Sequence, residues 1–395
     1  MDRRLHAVVL PPGPRLFAAL TAALDGTGPA ICPLSPDLPA PALAAMLDAL
    51  APHAVETAAG VTPHTGPAEP VADGTAVLIA TSGSTGTPKF TELSAAALRH
   101  SAAGTLARIG AAPGDRWLCC LPTSHIAGIQ VLVRALVAGT EPVITPRFDP
   151  LDLAAAAPPG AHVALVPTQL RRLVDAGADL GKLGAVVLGG AAAPPGLLAA
   201  ARDRGARVFT TYGMSETCGG CVYDGVPLDG VRVGLAADGR VRVAGPSLFT
   251  GYRLRPDLTA AARDGDWFVT GDLGAFEEDG RLRVRGRVDD VINTGGEKVV
   301  AGEVAAALAR HPSVRDVVVV GRPDPEWGER VTAVVVPAAE PGAAPPTLAE
   351  LRAFVRTTMP AHAAPHELEL RERIPLLPSG KPDRARLRGA GGHGP

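Results

Sequence analysis

Nine consecutive residues, Thr81-Ser82-Gly83-Ser84-Thr85-Gly86-Thr87-Pro88-Lys89, hold no large apolar side chain and directly follow the apolar run Ala76-Val77-Leu78-Ile79-Ala80. The run reads as a buried strand and the nine residues as a loop at its end. Gly83 and Gly86 let backbone N–H groups converge without a Cβ in the way. The hydroxyls of Thr81, Ser82, Ser84, Thr85 and Thr87 add donors, and Lys89 brings a positive charge. This donor set suits an anion, and polyphosphate fits it best. A Walker loop is excluded by spacing, because that pattern closes on Gly-Lys-Ser/Thr, whereas Lys89 stands between Pro88 and Phe90. The bland alternative is a flexible linker, which rarely sits tight behind an apolar strand and ends in Pro-Lys.

The elements that must hold such a loop alternate along the chain. Strand-like runs at 117–121, 163–166 and 186–188 are interleaved with helical spacing at 95–109, 129–137 and 168–176. Thr123 to Gly128 reads as a loop at a strand end. The class is α/β, with an open and largely parallel sheet whose ligand loops lie at strand C-termini. From about 226 the rhythm changes to short alternating strands at 231–233, 240–243 and 281–284, a β-rich subdomain. A compact α+β unit follows, with helices at 302–311 and 348–358 and strands at 316–320 and 331–336. The expected domains are residues 1–286 and 287–388, with a flexible tail at 389–395.

Composition sets the limits. The 395 residues are 46% hydrophobic and 20% charged, enough for two or three cores. A net charge of −2 gives no electrostatic footprint for nucleic acid or an anionic membrane. The apolar stretch Ala7-Val8-Val9-Leu10, broken by Pro11, is too short for a signal sequence or a membrane span, so a cytoplasmic protein is expected. Five cysteines, an odd number, point to reduced thiols. Cys218 and Cys221 have the spacing of half a zinc ribbon but lack a second pair, and read as small packing residues.

The marked stretches also form an ordered set. The loop at 81–89, Pro122 to Gly128, Tyr212-Gly213-Met214-Ser215-Glu216-Thr217, Thr270-Gly271-Asp272-Leu273-Gly274, Gly286-Arg287-Val288-Asp289-Asp290 and Pro378-Ser379-Gly380-Lys381 together resemble the adenylate-forming superfamily of acyl-CoA synthetases, amino-acid adenylation domains and luciferases. Within it, His125 to Arg134, Leu165 to Leu170 and Cys218 to Gly225 are most similar to the o-succinylbenzoate:CoA ligases of menaquinone biosynthesis. Each motif alone is weak; their shared order makes the likeness specific.

The resemblance implies a large N-terminal domain hinged to a small C-terminal one, and two half-reactions. A carboxylate and ATP give an acyl-adenylate, which the thiol of coenzyme A then attacks. Thr81 to Thr87 and Lys89 would grip the phosphates; Glu216, with Thr85, would bind Mg2+. Gly189, Gly190 and Ala191 would line the adenine pocket with Gly213, Tyr212 would stack on adenine, and Asp272 assisted by Arg287 would take the ribose hydroxyls. Lys381 would be the catalytic lysine, carried in by a small domain turning about Asp289, and Gly295-Gly296-Glu297 would line the pantetheine route. His125 would gate or contact the acyl group, with Gln130, Arg134 and Gln169 as further acyl-pocket candidates. For a dicarboxylic aromatic acid Arg134 has the chemistry to pair the second carboxylate; its competing reading is a solvent-facing helix arginine.

Two departures stand out. Phe90 occupies the place of the family's usual glycine and is expected to narrow the loop exit, and the region before the loop is short, which leaves a homodimer open. The runner-up, an enzyme loading an amino or aryl acid onto a carrier protein, is weakened by the lack of an aspartate near 122–130 to pair an α-amino group.

Overall fold

A computed structural model describes residues 2–81, 88–145, 147–338, 344–377 and 380–389. The expectations placed on Ser82 to Thr87, Pro378 and Ser379 lie outside them. The chain divides into two compact units. The first comprises Met1–Gly190, Ala201–Val233 and Val243–Val269, and the second Ala191–Ala200, Gly234–Arg242 and Thr270–Pro395.

Among the described residues the first unit holds two seven-stranded sheets. In one, Leu5–Val9 pairs in parallel with Ala30–Leu34 and Ala54–Thr57, and Ala30–Leu34 with Thr75–Thr81. Ala30–Leu34 is buried along its whole length, as a central strand covered on both faces must be. The core here gathers Leu5, Leu34, Leu50, Leu78 and Phe90. In the other sheet Trp117–Cys119, His162–Leu165, Val186–Leu188 and Val208–Met214 run parallel, and Gly219–Tyr223 returns antiparallel to Val208–Met214. The first sheet is thus parallel at its centre and antiparallel at both margins, and the second is antiparallel at one margin only, its other edge strand Val143–Ile144 pairing in parallel with Trp117–Cys119.

The sequence reading carries the chain from the 81–89 loop straight into a helix. The structure inserts a strand, Lys89–Ser94, antiparallel to Thr75–Thr81. Phe90 is 1% exposed and packs into the core; the loop whose exit it was expected to narrow lies outside the described residues. Ser94 then caps the helix Ala95–Ile109, accepting from Ala97 N at 3.1 Å. Residues 126–128, expected in a loop, already form the first turn of the helix Ile126–Val137.

In the second unit Val314–Asp324 and Gly328–Pro337 form a long antiparallel pair, flanked by Val291–Thr294 and Glu367–Leu370. The helices Ala301–Leu308 and Leu348–Arg356 cover one face, with Val304, Leu308, Val319, Val331, Leu351 and Val355 in the core. Thr347 and Glu350 make a reciprocal capping box at the start of Leu348–Arg356. A last helix, Arg384–Gly389, was not apparent from the sequence. Among the described residues no helix is long and apolar enough to cross a membrane.

Candidate active site

The strands flanking the glycine-hydroxyl loop place Thr81 directly opposite Lys89, and Thr81 Oγ1 donates to the Lys89 carbonyl at 3.1 Å. That commits the single hydroxyl proton of Thr81 to closing the base of the loop. Lys89, the first residue of its strand, holds its ammonium 4.3 Å from the centroid of the Tyr252 ring.

Tyr252 comes from the two-residue strand Gly251–Tyr252, which pairs with Lys89–Ser94 at Thr91. Its hydroxyl donates to Glu216 Oε1 at 2.8 Å. Burial, and then the adjacent Glu216 charge, push the phenol well above its ordinary pKa, so it remains a donor. Glu216 sits in the 3₁₀ turn Ser215–Thr217. The turn is fixed because Thr217 Oγ1 accepts from Met214 N at 2.9 Å and the Glu216 carbonyl accepts from Phe249 N at 2.9 Å. The neighbouring Arg253 is nearly enclosed. It donates to the carbonyls of Leu50, Ala51, Glu69 and Pro70 and lies 3.7 Å from Glu92. Sequence reasoning missed Tyr252, although a chain with only three tyrosines makes each one conspicuous.

Gly189 follows the strand Val186–Leu188, which pairs with Val208–Met214, so Gly189 and Tyr212-Gly213 stand at the same end of neighbouring strands. A Cβ on Gly189 would lie 2.6 Å from Thr211 Oγ1, and one on Gly213 only 2.0 Å from the Gly219 carbonyl. Glycine is required at both positions by close packing. Gly190 has φ +84° and Ala191 follows it.

The helix Ile126–Val137 begins after His125, which is half-buried and extended at φ −115°, ψ 150°. Gly128 lets the helix approach the preceding loop, where a Cβ would meet the Pro122 carbonyl at 2.4 Å. Gln130 and Arg134, four apart and on one face, are 0% and 3% exposed, which excludes the solvent-facing reading of Arg134. The guanidinium lies 5.2 Å from the Trp117 ring centroid, and Nη2 reaches the Tyr223 hydroxyl at 3.5 Å. Tyr223 is itself bonded to Thr105 Oγ1 at 2.7 Å, and Gln130 Nε2 donates to the Leu98 carbonyl at 3.4 Å. Arg134 Nε, Gln130 Oε1 and Trp117 Nε1 have no hydrogen-bond partner among the described residues. Burial lowers the Arg134 pKa, and no carboxylate among the described residues offsets it. Gln169 does otherwise: its Oε1 accepts from Val166 N at 3.2 Å and caps the helix Pro167–Asp175.

In the second unit Asp272 and Arg287 face each other across the strands Trp267–Phe276 and Leu282–Arg287, with Arg287 Nη1 3.6 Å from Asp272 Oδ1. Arg287 Nη2 is also 3.6 Å from Asp289 Oδ2. Lys381 is exposed, Gly380 before it takes φ +80°, and Leu377 N donates to the Lys381 carbonyl at 2.8 Å. The helix Arg384–Gly389 follows Lys381 and is held in the core of the unit. Leu387 is buried against Val318 and Val320, and Arg322 Nη2 donates to the Leu387 carbonyl at 2.9 Å. Arg388 Nη2 donates to Asp290 Oδ1 at 2.6 Å and to the Asp289 carbonyl at 3.0 Å.

All five thiols are buried and unpaired, and burial pushes that of Cys221 up to about 12, so none is a nucleophile at neutral pH. Among the described residues no group of three or more His, Cys, Asp or Glu side chains could hold a metal by itself.

Known proteins share this fold. Residues 54–248 match the AMP-binding enzyme family and residues 303–381 the AMP-binding enzyme C-terminal domain. A probable 2-succinylbenzoate–CoA ligase of Mycobacterium tuberculosis is 45% identical over 338 residues, 81% of this chain and 85% of its own length. The o-succinylbenzoate CoA synthetase MenE of Bacillus subtilis, solved with the acyl-adenylate intermediate OSB-AMP, is 25% identical with a TM-score of 0.82, covering 98% of this chain and 88% of that one. The same enzyme has been solved with ATP and a magnesium ion, at TM-score 0.80 over 97% and 89% of the chains. The amide bond synthetase McbA of Marinactinospora thermotolerans gives 29% identity and TM-score 0.85, over 98% and 90%. The chain therefore belongs to the AMP-binding, adenylate-forming enzymes and, within them, to the 2-succinylbenzoate–CoA ligase family of acid–thiol ligases.

Proposed function

We propose that the chain is an ATP-dependent ligase that converts o-succinylbenzoate to o-succinylbenzoyl-CoA in menaquinone biosynthesis, through an acyl-adenylate. The choice of acid rests on Arg134. A buried guanidinium without a counter-ion is costly, and a second carboxylate entering beside Trp117 and Gln130 would supply the missing charge and accept from the unpartnered Nε. In the first half-reaction the reacting carboxylate attacks the α-phosphorus, the acyl–O–P bond forms, and pyrophosphate leaves. Both reactants are anions, so positive charge and an in-line approach dominate the barrier. Lys89 and the backbone of residues 81–87 hold the leaving phosphates, and Lys381 stabilises charge on the carboxylate and α-phosphate. Asp272 accepts from the ribose hydroxyls with Arg287 beside it, Tyr212 stacks on adenine, and Gly189 to Ala191 line that pocket.

Glu216, a lone carboxylate in a fixed turn, fits a hard cation that draws its remaining ligands from phosphate oxygens and water. When bound, Mg2+ would neutralise phosphate charge. Thr85 is its second proposed ligand. For the thioester step, residues 287–388 turn about Asp289, withdrawing Lys381 and opening the pantetheine route along Gly295-Gly296-Glu297. The thiol sulfur then attacks the acyl carbonyl and loses its proton, and AMP leaves. His125 guards the acyl entrance. Gln169 would contribute only its amide nitrogen, since its oxygen caps a helix.

The likeness to McbA supports a second reading in which an amine takes the acyl group. A pyrophosphate-release screen over aryl, fatty and amino acids, with CoA or an amine as acceptor, separates the two. The first reading expects turnover with a dicarboxylic aryl acid and CoA; turnover only with an amine acceptor would replace it.

A further inference from the structure

The Lys89 ammonium and the Glu216 carboxylate lie on the same side chain, that of Tyr252, and yet make no ion pair with each other. The ammonium rests on the ring, 4.3 Å from its centroid, while the carboxylate takes the hydroxyl at 2.8 Å. Tyr252 cannot follow either group if it moves. It is paired to the Lys89 strand at Thr91, its N–H donates to Thr259 Oγ1 at 2.8 Å, and its ring packs on Phe249 at 4.9 Å between centroids. The next residue, Arg253, is fastened to four backbone carbonyls.

We propose that Tyr252 is a positioning residue that keeps Glu216 and Lys89 apart and available, the one for a divalent cation and the other for the nucleotide's phosphates. Two opposite charges this near to one phenol ring would otherwise close into an ion pair, and each would be lost to the ligand. The ring prevents that by giving the ammonium an attractive face to rest on. The hydroxyl, with one proton to give, occupies one side of Oε1 and leaves Oε2 for the cation. The proposal rests on the reading of Glu216 as a cation ligand and of Lys89 as a phosphate partner.

The test uses the full chain with Mn2+ and an ATP analogue carrying a methylene bridge between the α and β phosphorus atoms, so that binding is read by electron paramagnetic resonance without turnover. Tyr252→Phe removes only the hydroxyl and is expected to weaken Mn2+ in the ternary complex about tenfold, the scale of a hydrogen bond to a charged group. The KM for MgATP rises with it, and kcat at saturation falls less. Tyr252→Leu also removes the ring and lets Lys89 collapse onto Glu216. Lys89→Met, which weakens analogue binding in the wild type, then has little further effect. Glu216→Gln is the reference. If it loses Mn2+ while Tyr252→Phe binds as wild type, the positioning role is wrong and the cation site stands. If neither variant changes Mn2+ binding, the reading of Glu216 fails and this proposal with it. Should Tyr252→Leu not fold, Tyr252→Phe still decides.

Discussion

The guanidinium of Arg134 lies over the indole of Trp117, 5.2 Å from the ring centroid, and among the described residues its Nε has no partner and the Tyr223 hydroxyl at 3.5 Å is its one polar contact. A buried cation stacked on an aromatic face and left short of an acceptor is an incomplete ion pair. Arg134→Met keeps the volume of the stem and removes the charge. It is expected to raise the KM for a dicarboxylic acid tenfold or more while sparing a monocarboxylic analogue. Thermal stability should hold or rise, because an uncompensated buried charge has been taken away. A lower melting temperature with an unchanged KM would make Arg134 a structural residue.

Lys381→Ala should cut pyrophosphate release by orders of magnitude. Thioester formation from supplied acyl-adenylate should remain, since the proposed role of the ammonium is confined to the first half-reaction. Single-turnover assays of the two steps measure this, and equal loss in both would take the assigned role away.

Asp289→Pro should do the opposite. Asp289 lies in the 3₁₀ turn Val288–Asp290, where a fixed φ and a missing N–H restrict the rotation that a hinge needs. Adenylate formation is expected to persist while transfer to CoA collapses. Unimpaired CoA transfer would place the joint elsewhere.

Leu387→Ala should loosen the helix Arg384–Gly389 that follows Lys381, at a cost of about 2–5 kcal/mol for a buried leucine. Urea unfolding should show the loss, with faster proteolysis after residue 377. A change within about 0.5 kcal/mol, as at a surface site, would mean that the helix does not depend on Leu387.

The helix Ala95–Ile109 was legible to the residue, because Ser94 caps it and Gly110 ends it in the left-handed conformation, both local signals. The strand Val186–Leu188 before Gly189 was equally plain, and the strand Thr75–Thr81 was read to within one residue at each end from its apolar stretch Ala76 to Ala80. The strand Lys89–Ser94 was hidden because it shows no clean alternation: Phe90, Thr91 and Leu93 are buried on both of its faces, and Glu92 is itself half-buried beside Arg253. The partnership of Tyr252 with Glu216 spans 36 residues, and that of Arg322 with Leu387 spans 65. No window of sequence holds either. Gln169 was expected to be an acyl-pocket candidate; its use as a helix cap depends on a carboxamide rotamer that composition does not reveal.

The most direct test of the whole account is mass spectrometry of the products formed by the purified chain from o-succinylbenzoate, ATP and Mg2+, with CoA added or withheld. The account predicts o-succinylbenzoyl-CoA, AMP and pyrophosphate with CoA, and the acyl-adenylate with pyrophosphate in its absence. Release of ADP and phosphate, or no adenylate from this acid while another acid is turned over, would contradict it.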